Sequence, residues 1–331
     1  MYAKLFSILV IALTTVWVNP LIASIPNPVL SIPTLPHQYL EKHFQAIQEA
    51  FDQRTILFLR GWPFKKWQAN KSQEEILQEF DQLNEWRFSA WYVDPKSNVL
   101  IARADFMVAQ DLLEKELYQK PAYLAFQYNR SDSTYNSSSI ILNGFKFLAM
   151  DAPNAKTLNR FFILLQNFRA TQLVRLSSSE ESGTTTNKPY WVNKLQVNAK
   201  TKEVMLNIPQ PYNPAPYPIR YYSTDNWSGK INLKELLQLI QTVRKTYDPS
   251  NDLIACHSTN GAGRTGTFIA GFVLISEIDK QIATGVSKND IDISIEKTVM
   301  QLSLQRPYLV REPQEYITLY RLIDLYMASL K

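Results

Sequence analysis

Residues 257–267 read His-Ser-Thr-Asn-Gly-Ala-Gly-Arg-Thr-Gly-Thr. The stretch Thr259, Asn260, Gly261, Ala262, Gly263 and Arg264 offers six consecutive backbone N–H donors, and the two glycines let it fold tightly. A concave run of N–H groups is an anion nest, and it is stronger where it opens a helix, because the helix dipole adds positive potential there. All six residues are therefore candidate phosphate-binding positions. The apolar stretch Thr267–Ile275 reads as that helix, and Leu253-Ile254-Ala255-Cys256 reads as a short buried strand before the loop. Arg264 can then close a planar fork on a bound oxyanion. A nucleotide P-loop is excluded, since no Lys follows Gly263. Taken alone, the loop is also compatible with an ordinary strand–helix turn of an α/β protein.

The pattern His-x-x-x-Gly-x-Gly-Arg-Thr-Gly resembles the signature of the protein tyrosine phosphatase superfamily. In that signature a cysteine follows the histidine and stands six residues before the arginine; here that position is Ser258. Cys256, the one cysteine of the chain, lies eight residues before Arg264, and two residues along a strand put its sulfur roughly 6–7 Å from the nucleophile position. It reads as a buried structural thiol.

Further matches follow in order. Lys115-Glu116-Leu117-Tyr118 stands where the phosphotyrosine-specific branch has Lys-Asn-Arg-Tyr. Tyr135-Asn136-Ser137-Ser138-Ser139 with Asn143-Gly144-Phe145 resembles its hairpin, and Phe147–Pro153 its Tyr-Ile-Ala-Thr-Gln-Gly-Pro. Thr157 with Phe161-Phe162, the strand-like run Thr171–Leu176, and Tyr190-Trp191 keep the family's spacing, as does Gln305-Arg306-Pro307-Tyr308-Leu309-Val310 followed by Tyr316. The resemblance, over roughly 115–330, implies an α/β fold: a twisted mixed central sheet flanked by helices.

It also implies a chemistry. In the family a thiolate attacks phosphorus while an aspartate protonates the leaving oxygen, and water then hydrolyses the cysteinyl-phosphate. The nest and helix N-terminus lower a cysteine pKa from about 8.5 by several units, whereas an alcohol starts far higher and stays protonated. Ser258 is therefore a poor nucleophile unless a base stands beside it. His257 points to the opposite face of its strand and is assigned the family's loop-orienting role. Thr265 matches the hydroxyl that hydrogen-bonds the nucleophile, or else caps the helix. Asp225, 33 residues before Ser258 in Tyr222–Gly229, takes the general-acid position, with Trp227 replacing the family's hinge tryptophan; without that spacing it reads as a turn residue. The Thr-Asp-x-x-Trp arrangement also resembles the phosphatase-like inositol polyphosphatases. Tyr118 stands for a pocket tyrosine lining a deep phosphotyrosine slot. At the family's water-positioning glutamines stand Arg311 and Glu315, with Gln314 displaced by one; Arg311 is a second cation for a polyphosphorylated ligand or an ordinary surface charge.

With 331 residues, 45% of them apolar and 12% aromatic, the chain has material for a sizeable core. Its net charge of +5 suits an anionic ligand, but the basic residues are dispersed and form no nucleic-acid patch. One cysteine excludes an internal disulfide framework, and three histidines offer no zinc cluster, so neither metal nor cofactor is expected. Lys4, the apolar run Leu5–Val18 and the segment to Ser24 resemble a secretory signal peptide (1–24); an uncleaved anchor is the alternative. This suggests a secreted or periplasmic protein, compatible with a bacterial protein acting outside its own cytoplasm. A Pro-rich linker (25–36) follows, and then an N-terminal helical extension (37–110) with helices near 37–58 and, behind a Ser72/Glu75 capping box, at Ile76–Trp86. The phosphatase-like domain is 111–331.

Three functions remain open at this point. The chain is a phosphomonoester-binding pseudophosphatase with weak or absent catalysis. Alternatively it is an active protein-tyrosine or inositol-polyphosphate phosphatase whose cysteine was exchanged for serine to trap substrate. The third is a scaffold that keeps the loop for fold stability, against which the retained Arg264 argues.

Overall fold

The computed structural model describes residues 41, 45, 48, 63–89, 91–93, 100–102, 137–155, 157–178, 190–191, 194–197, 203–210, 213–224, 227, 231–306 and 308–330. The leader, the Pro-rich linker, Tyr118 and Asp225 lie outside these, as does most of the 37–58 segment, of which residues 41, 45 and 48 are helical.

Seven strands form one mixed sheet: β3 (Ser137–Leu142), β4 (Phe145–Asp151), β5 (Gln172–Arg175), β6 (Leu195–Val197), β7 (Val204–Gln210), β8 (Asn213–Ser223) and β9 (Ile254–Ser258), in the order β3-β4-β9-β5-β8-β7-β6. The central β4, β9, β5 and β8 run parallel, and the outer pairings are antiparallel. Two further short strands, β1 (Trp91–Val93) and β2 (Leu100–Ala102), pair antiparallel with each other. The segment read from sequence as a helical extension also holds this strand pair, at Trp91-Tyr92-Val93 and Leu100-Ile101-Ala102, where β-branched and aromatic residues occur.

The β3–β4 hairpin turns at Asn143-Gly144, both at positive φ (52° and 82°), the geometry that a two-residue hairpin turn demands and these residue types supply. Alternation along the central strands then sorts side chains into two cores. Phe147, Ala149, Val174, Ile254 and Cys256 face a helical layer, whereas Leu148, Met150, Leu173 and Ala255 face the other side.

The larger core lies under α1 (Gln73–Ser89), α3 (Leu233–Lys245), α4 (Gly263–Ala283), α5 (Ile295–Gln305) and α6 (Pro313–Ser329), with α4 at its centre. The smaller core is covered by α2 (Leu158–Asn167) and Tyr190. α4 begins at Gly263, earlier than the apolar run suggests, because two glycines admit close neighbours. A Cβ on Gly266 would stand 2.3 Å from the Val310 amide nitrogen, and one on Gly263 would meet the Glu315 carboxylate.

α1 opens with Ser72 and Glu75 capping each other: Glu75 accepts from the Ser72 amide at 2.9 Å, and the Glu75 amide donates to Ser72 Oγ at 3.2 Å. Its buried face, Ile76, Phe80 and Leu83, joins the larger core against α5 and α6. Glu79 is buried there, ion-paired with Lys71, and accepts hydrogen bonds from the hydroxyls of Tyr316 (2.6 Å) and Tyr320. Among the described residues, no helix is long and apolar enough to cross a membrane.

Candidate active site

The loop between β9 and α4 sits at the carboxyl end of the parallel strands, where open α/β sheets place ligands. β9 fixes the two residues that precede it. Strand alternation sends Ser258 to the same side as Cys256, beneath the start of α4, and His257 to the opposite side. Ser258 is 3% exposed, and its Oγ lies 3.1 Å from Thr265 Oγ1 in the first turn of α4. His257 Nε2 lies 2.6 Å from the Tyr190 hydroxyl, with Phe161 packed edge-on against its ring. Its Nδ1 has no hydrogen-bond partner among the described residues. Burial, followed by the charges of Arg175 and Arg264, pushes the His257 pKa down to about 3, so the ring is neutral at physiological pH.

Cys256 is fully buried in the larger core, and burial raises its thiol far above the usual range. Neither its placement nor its ionisation suits a nucleophile.

The loop itself is braced from below. Gly261 has φ +56°, and a Cβ there would stand 2.2 Å from the Met150 carbonyl oxygen. This position requires glycine twice over, for its backbone region and for the contact. Arg306, 5% exposed, donates from Nε to the Gly261 carbonyl (2.9 Å), and also to Ser138 Oγ (3.1 Å) and Asp151 (3.2 Å).

The six residues of 259–264 differ in their surroundings. The Thr259 carbonyl ties the loop to β4 by accepting from the Ala152 amide at 3.4 Å. Asn260 is exposed at the tip of the turn. The Gly261 N–H turns back onto the Ser258 carbonyl at 3.3 Å, because a tight turn needs one closing bond, and that length holds the donor only weakly. Ala262 is half-buried and serves as the N-cap of α4, with φ −123° and ψ −86°. Its methyl group cannot cap the helix amides, but its carbonyl accepts from the Gly266 amide at 2.7 Å and so closes the first turn. An alanine at this cap leaves the first amides of α4 without a side-chain partner from the cap.

Arg264 is half-buried and already oriented. Its guanidinium donates to the carbonyls of Leu176 (3.1 Å) and Trp227 (3.0 Å) and to Thr259 Oγ1 (3.0 Å). The Leu176 amide in turn donates to the His257 carbonyl at 2.8 Å, so arginine, β9 and the 176–178 turn form one unit. Arg175 reinforces it: buried, it stacks 4.0 Å over Trp191 and donates to Tyr221 Oη at 2.6 Å and to the Ser177 carbonyl. Beside Arg264 opens a cavity of about 420 Å³, walled by Trp227, Ile231, Leu233, Glu315, Ile317 and Arg321.

Of the residues singled out in the sequence, Ser258, Thr265 and the loop Thr259, Asn260, Gly261, Ala262, Gly263 with Arg264 lie together at the β9–α4 junction, while His257 supports the strand from the opposite face. Trp227 joins them through its carbonyl and Glu315 through Gly263, while Gln314 lines the cavity. Arg311 does not converge with the loop: it is solvent-exposed, paired with Glu312 at 3.1 Å and lying 5.8 Å from the Tyr308 ring. Asp225 and Tyr118 lie outside the described residues. Sequence reasoning passed over Arg306 as a loop brace, although its Gln-Arg-Pro context was a signal. Arg175 was detectable only as a charge interrupting an apolar strand.

A family model described as protein-tyrosine phosphatase matches residues 122–324. The chain belongs to that family. The phosphatase domain is 26% identical over 204 residues to receptor-type tyrosine-protein phosphatase eta of Mus musculus, covering 55% of this chain and 16% of that protein. It is 24% identical over 202 residues to receptor-type tyrosine-protein phosphatase alpha of Homo sapiens, covering 55% and 24% respectively. The chain thus spans about a sixth to a quarter of the length of these receptor relatives. Among solved structures, a protein tyrosine phosphatase of Trypanosoma brucei shares its fold, with a TM-score of 0.55 and 18% identity over 78% of this chain and 95% of that one. A Trypanosoma cruzi counterpart gives 0.52 and 19% over 77% and 91%. These matches agree with the mixed sheet flanked by helices.

Proposed function

We propose that this phosphatase domain binds phosphomonoesters of the phosphotyrosine class in the loop Ser258–Arg264, and that its turnover as the chain stands is very slow or absent. The observation that carries this reading is the pairing of Ser258 Oγ with Thr265 Oγ1 at 3.1 Å. Among the described residues, Ser258 is hydrogen-bonded to no carboxylate or imidazole, and its neighbour His257 is engaged with Tyr190 on the other face. An alcohol in this setting keeps its proton and does not attack phosphorus. A neutral hydroxyl also removes one anion from beneath a dianionic ligand, which favours binding while turnover collapses.

Phosphotyrosine is favoured over inositol polyphosphates on two grounds. The relatives above are named tyrosine phosphatases, and Arg311, the cation that a polyphosphate would recruit, is paired with Glu312. Asp225 is assigned as the proton donor to the leaving oxygen on its sequence spacing, and Thr265 as the hydroxyl that assists the second step in a cysteine form. The leader-like N-terminus makes the domain an exported one; N-terminal sequencing of the mature protein beginning near Ser24 supports this, and an intact Met1 contradicts it.

The binding half of the reading is tested by titrating a phosphotyrosine peptide into the chain and into Arg264→Ala. Saturable binding that Arg264→Ala abolishes is the expected outcome. Equal affinity for the two forms overturns the assigned role.

A further inference from the structure

Glu315 departs from the amide residue that the family resemblance implies at its position, and the structure places it against the anion loop. One carboxylate oxygen would stand 1.8 Å from a Cβ on Gly263, the residue that opens α4, and the other accepts from the Glu312 amide at 2.9 Å. The second bond fixes the side chain as half of a capping box with Glu312 at the start of α6. A carboxyl group is thereby held beside the N-terminus of α4.

We infer that Glu315 is a specificity-determining residue, which ranks tetrahedral ligands at this loop by charge and admits a dianion tightly only when its own carboxyl group is neutral. This rests on the anion-loop reading above and deepens it.

The physical reason is competition for the same positive potential. The positive charge of Arg264 acts on the built-in carboxyl group as it would on an incoming anion, and two like charges in one small cradle oppose each other. The surroundings shift this carboxyl group upward from its ordinary range. Burial raises the Glu315 pKa, against the backbone N–H groups of Glu312 and Arg311 and the charge of Arg264, which lower it; the Glu312 carboxylate adds to the rise. The charged groups around it are Arg264 from α4, Arg311 and Glu312 from the preceding turn, and Arg321 across the cavity on its own helix. Arg321 is paired with Asp324 at 3.3 Å, and Arg311 with Glu312 at 3.1 Å. His257 does not enter, since it stays neutral down to about pH 3.

Coupling between the two ligands, proton and dianion, is reciprocal. If a bound dianion raises the Glu315 pKa by one unit, the dianion binds about tenfold tighter to the protonated form. A glutamine in place of Glu315 removes the charge, keeps a carbonyl oxygen to accept from the Glu312 amide, and fixes the neutral state at every pH.

Sulfate is the probe, because it is a tetrahedral dianion that does not itself titrate where a carboxyl group does. Calorimetric titrations from about pH 8 to about pH 4.5 are compared for the chain and for Glu315→Gln. The chain is expected to bind sulfate about tenfold or more tightly at the acid end than at the alkaline end. Glu315→Gln is expected to bind at the alkaline end nearly as tightly as the chain does in acid, with a flatter profile. Any contribution from Asp225 is common to both forms and leaves their difference unchanged. Parallel profiles, or weaker sulfate binding by Glu315→Gln throughout, overturn the inference while leaving the anion loop standing. Absence of sulfate binding by the chain at every pH overturns both. A measurement free of mutation is the carboxyl carbon shift of Glu315, followed by NMR with and without saturating sulfate. Its midpoint should rise with sulfate; an unmoved midpoint contradicts the inference even if Glu315→Gln fails to fold.

Discussion

The Tyr190 hydroxyl and His257 Nε2 lie 2.6 Å apart on the face of β9 turned away from Ser258. Two residues adjacent in sequence are thus committed to different layers, His257 to holding the strand end and Ser258 to the anion loop. Removing the hydroxyl with Tyr190→Phe leaves both imidazole nitrogens without a partner among the described residues. The expected cost is about 1–3 kcal/mol of stability, as for other buried polar groups stripped of a hydrogen bond. Urea denaturation measures it, and an unchanged midpoint contradicts the assigned bond.

His257 also makes a signed prediction with pH. Its folded pKa of about 3 lies below the unfolded value near 6.5. The unfolded chain therefore binds the extra proton first, and this residue's contribution to stability declines as pH falls from about 6.5 towards about 3. The imidazole resonances should show no titration between about pH 5 and 8, and a midpoint near 6.5 in the folded protein contradicts the buried, neutral assignment.

Gly261 is expected to tolerate no side chain. Its φ of +56° and the 2.2 Å approach to the Met150 carbonyl oxygen oppose Gly261→Ala by both strain and collision. The loop must lift off β4, so phosphotyrosine binding should fall by at least about tenfold, with a loss of roughly 1–3 kcal/mol in stability. Equal binding by Gly261→Ala and the parent contradicts the close packing of the loop.

The Glu79 cluster ties α1 to α6. A buried carboxylate answers Lys71, Tyr316 and Tyr320 at once, and Tyr316 immediately follows Glu315. Glu79→Ala strands the partner ammonium and two hydroxyls, and the expected loss is about 3–5 kcal/mol, measured by chemical denaturation. A loss below about 1 kcal/mol contradicts the view that α1 is integral to the phosphatase domain's core.

The legible parts of this molecule are those written in local pattern. Asn143-Gly144 announces its hairpin because few residue types accept positive φ in succession. The separation of His257 from Ser258 follows from strand alternation alone, and Cys256 reads as buried from its apolar neighbours. What the sequence hides depends on partners distant along the chain. Glu79 looks like any helix-surface glutamate until Tyr316 and Tyr320 close over it, and Arg175 looks misplaced until Trp191 and Tyr221 surround it. The loop amides count alike in any sequence reading. Only the folded loop separates Gly261, turned onto Ser258, from Asn260 at the exposed tip and Ala262 at the helix cap. Arg311 shows the converse: spacing places it near the site, yet it pairs with Glu312 at the surface.

The most direct measurement is phosphate release from a phosphotyrosine peptide by the chain and by Ser258→Cys, under identical conditions. A thiolate at position 258, stabilised by the loop and the N-terminus of α4, should turn over the peptide at least about a hundredfold faster than the alcohol. Comparable rates from the two forms, whether both rapid or both nil, contradict the claim that an intact anion cradle here lies above a residue too weakly acidic to attack.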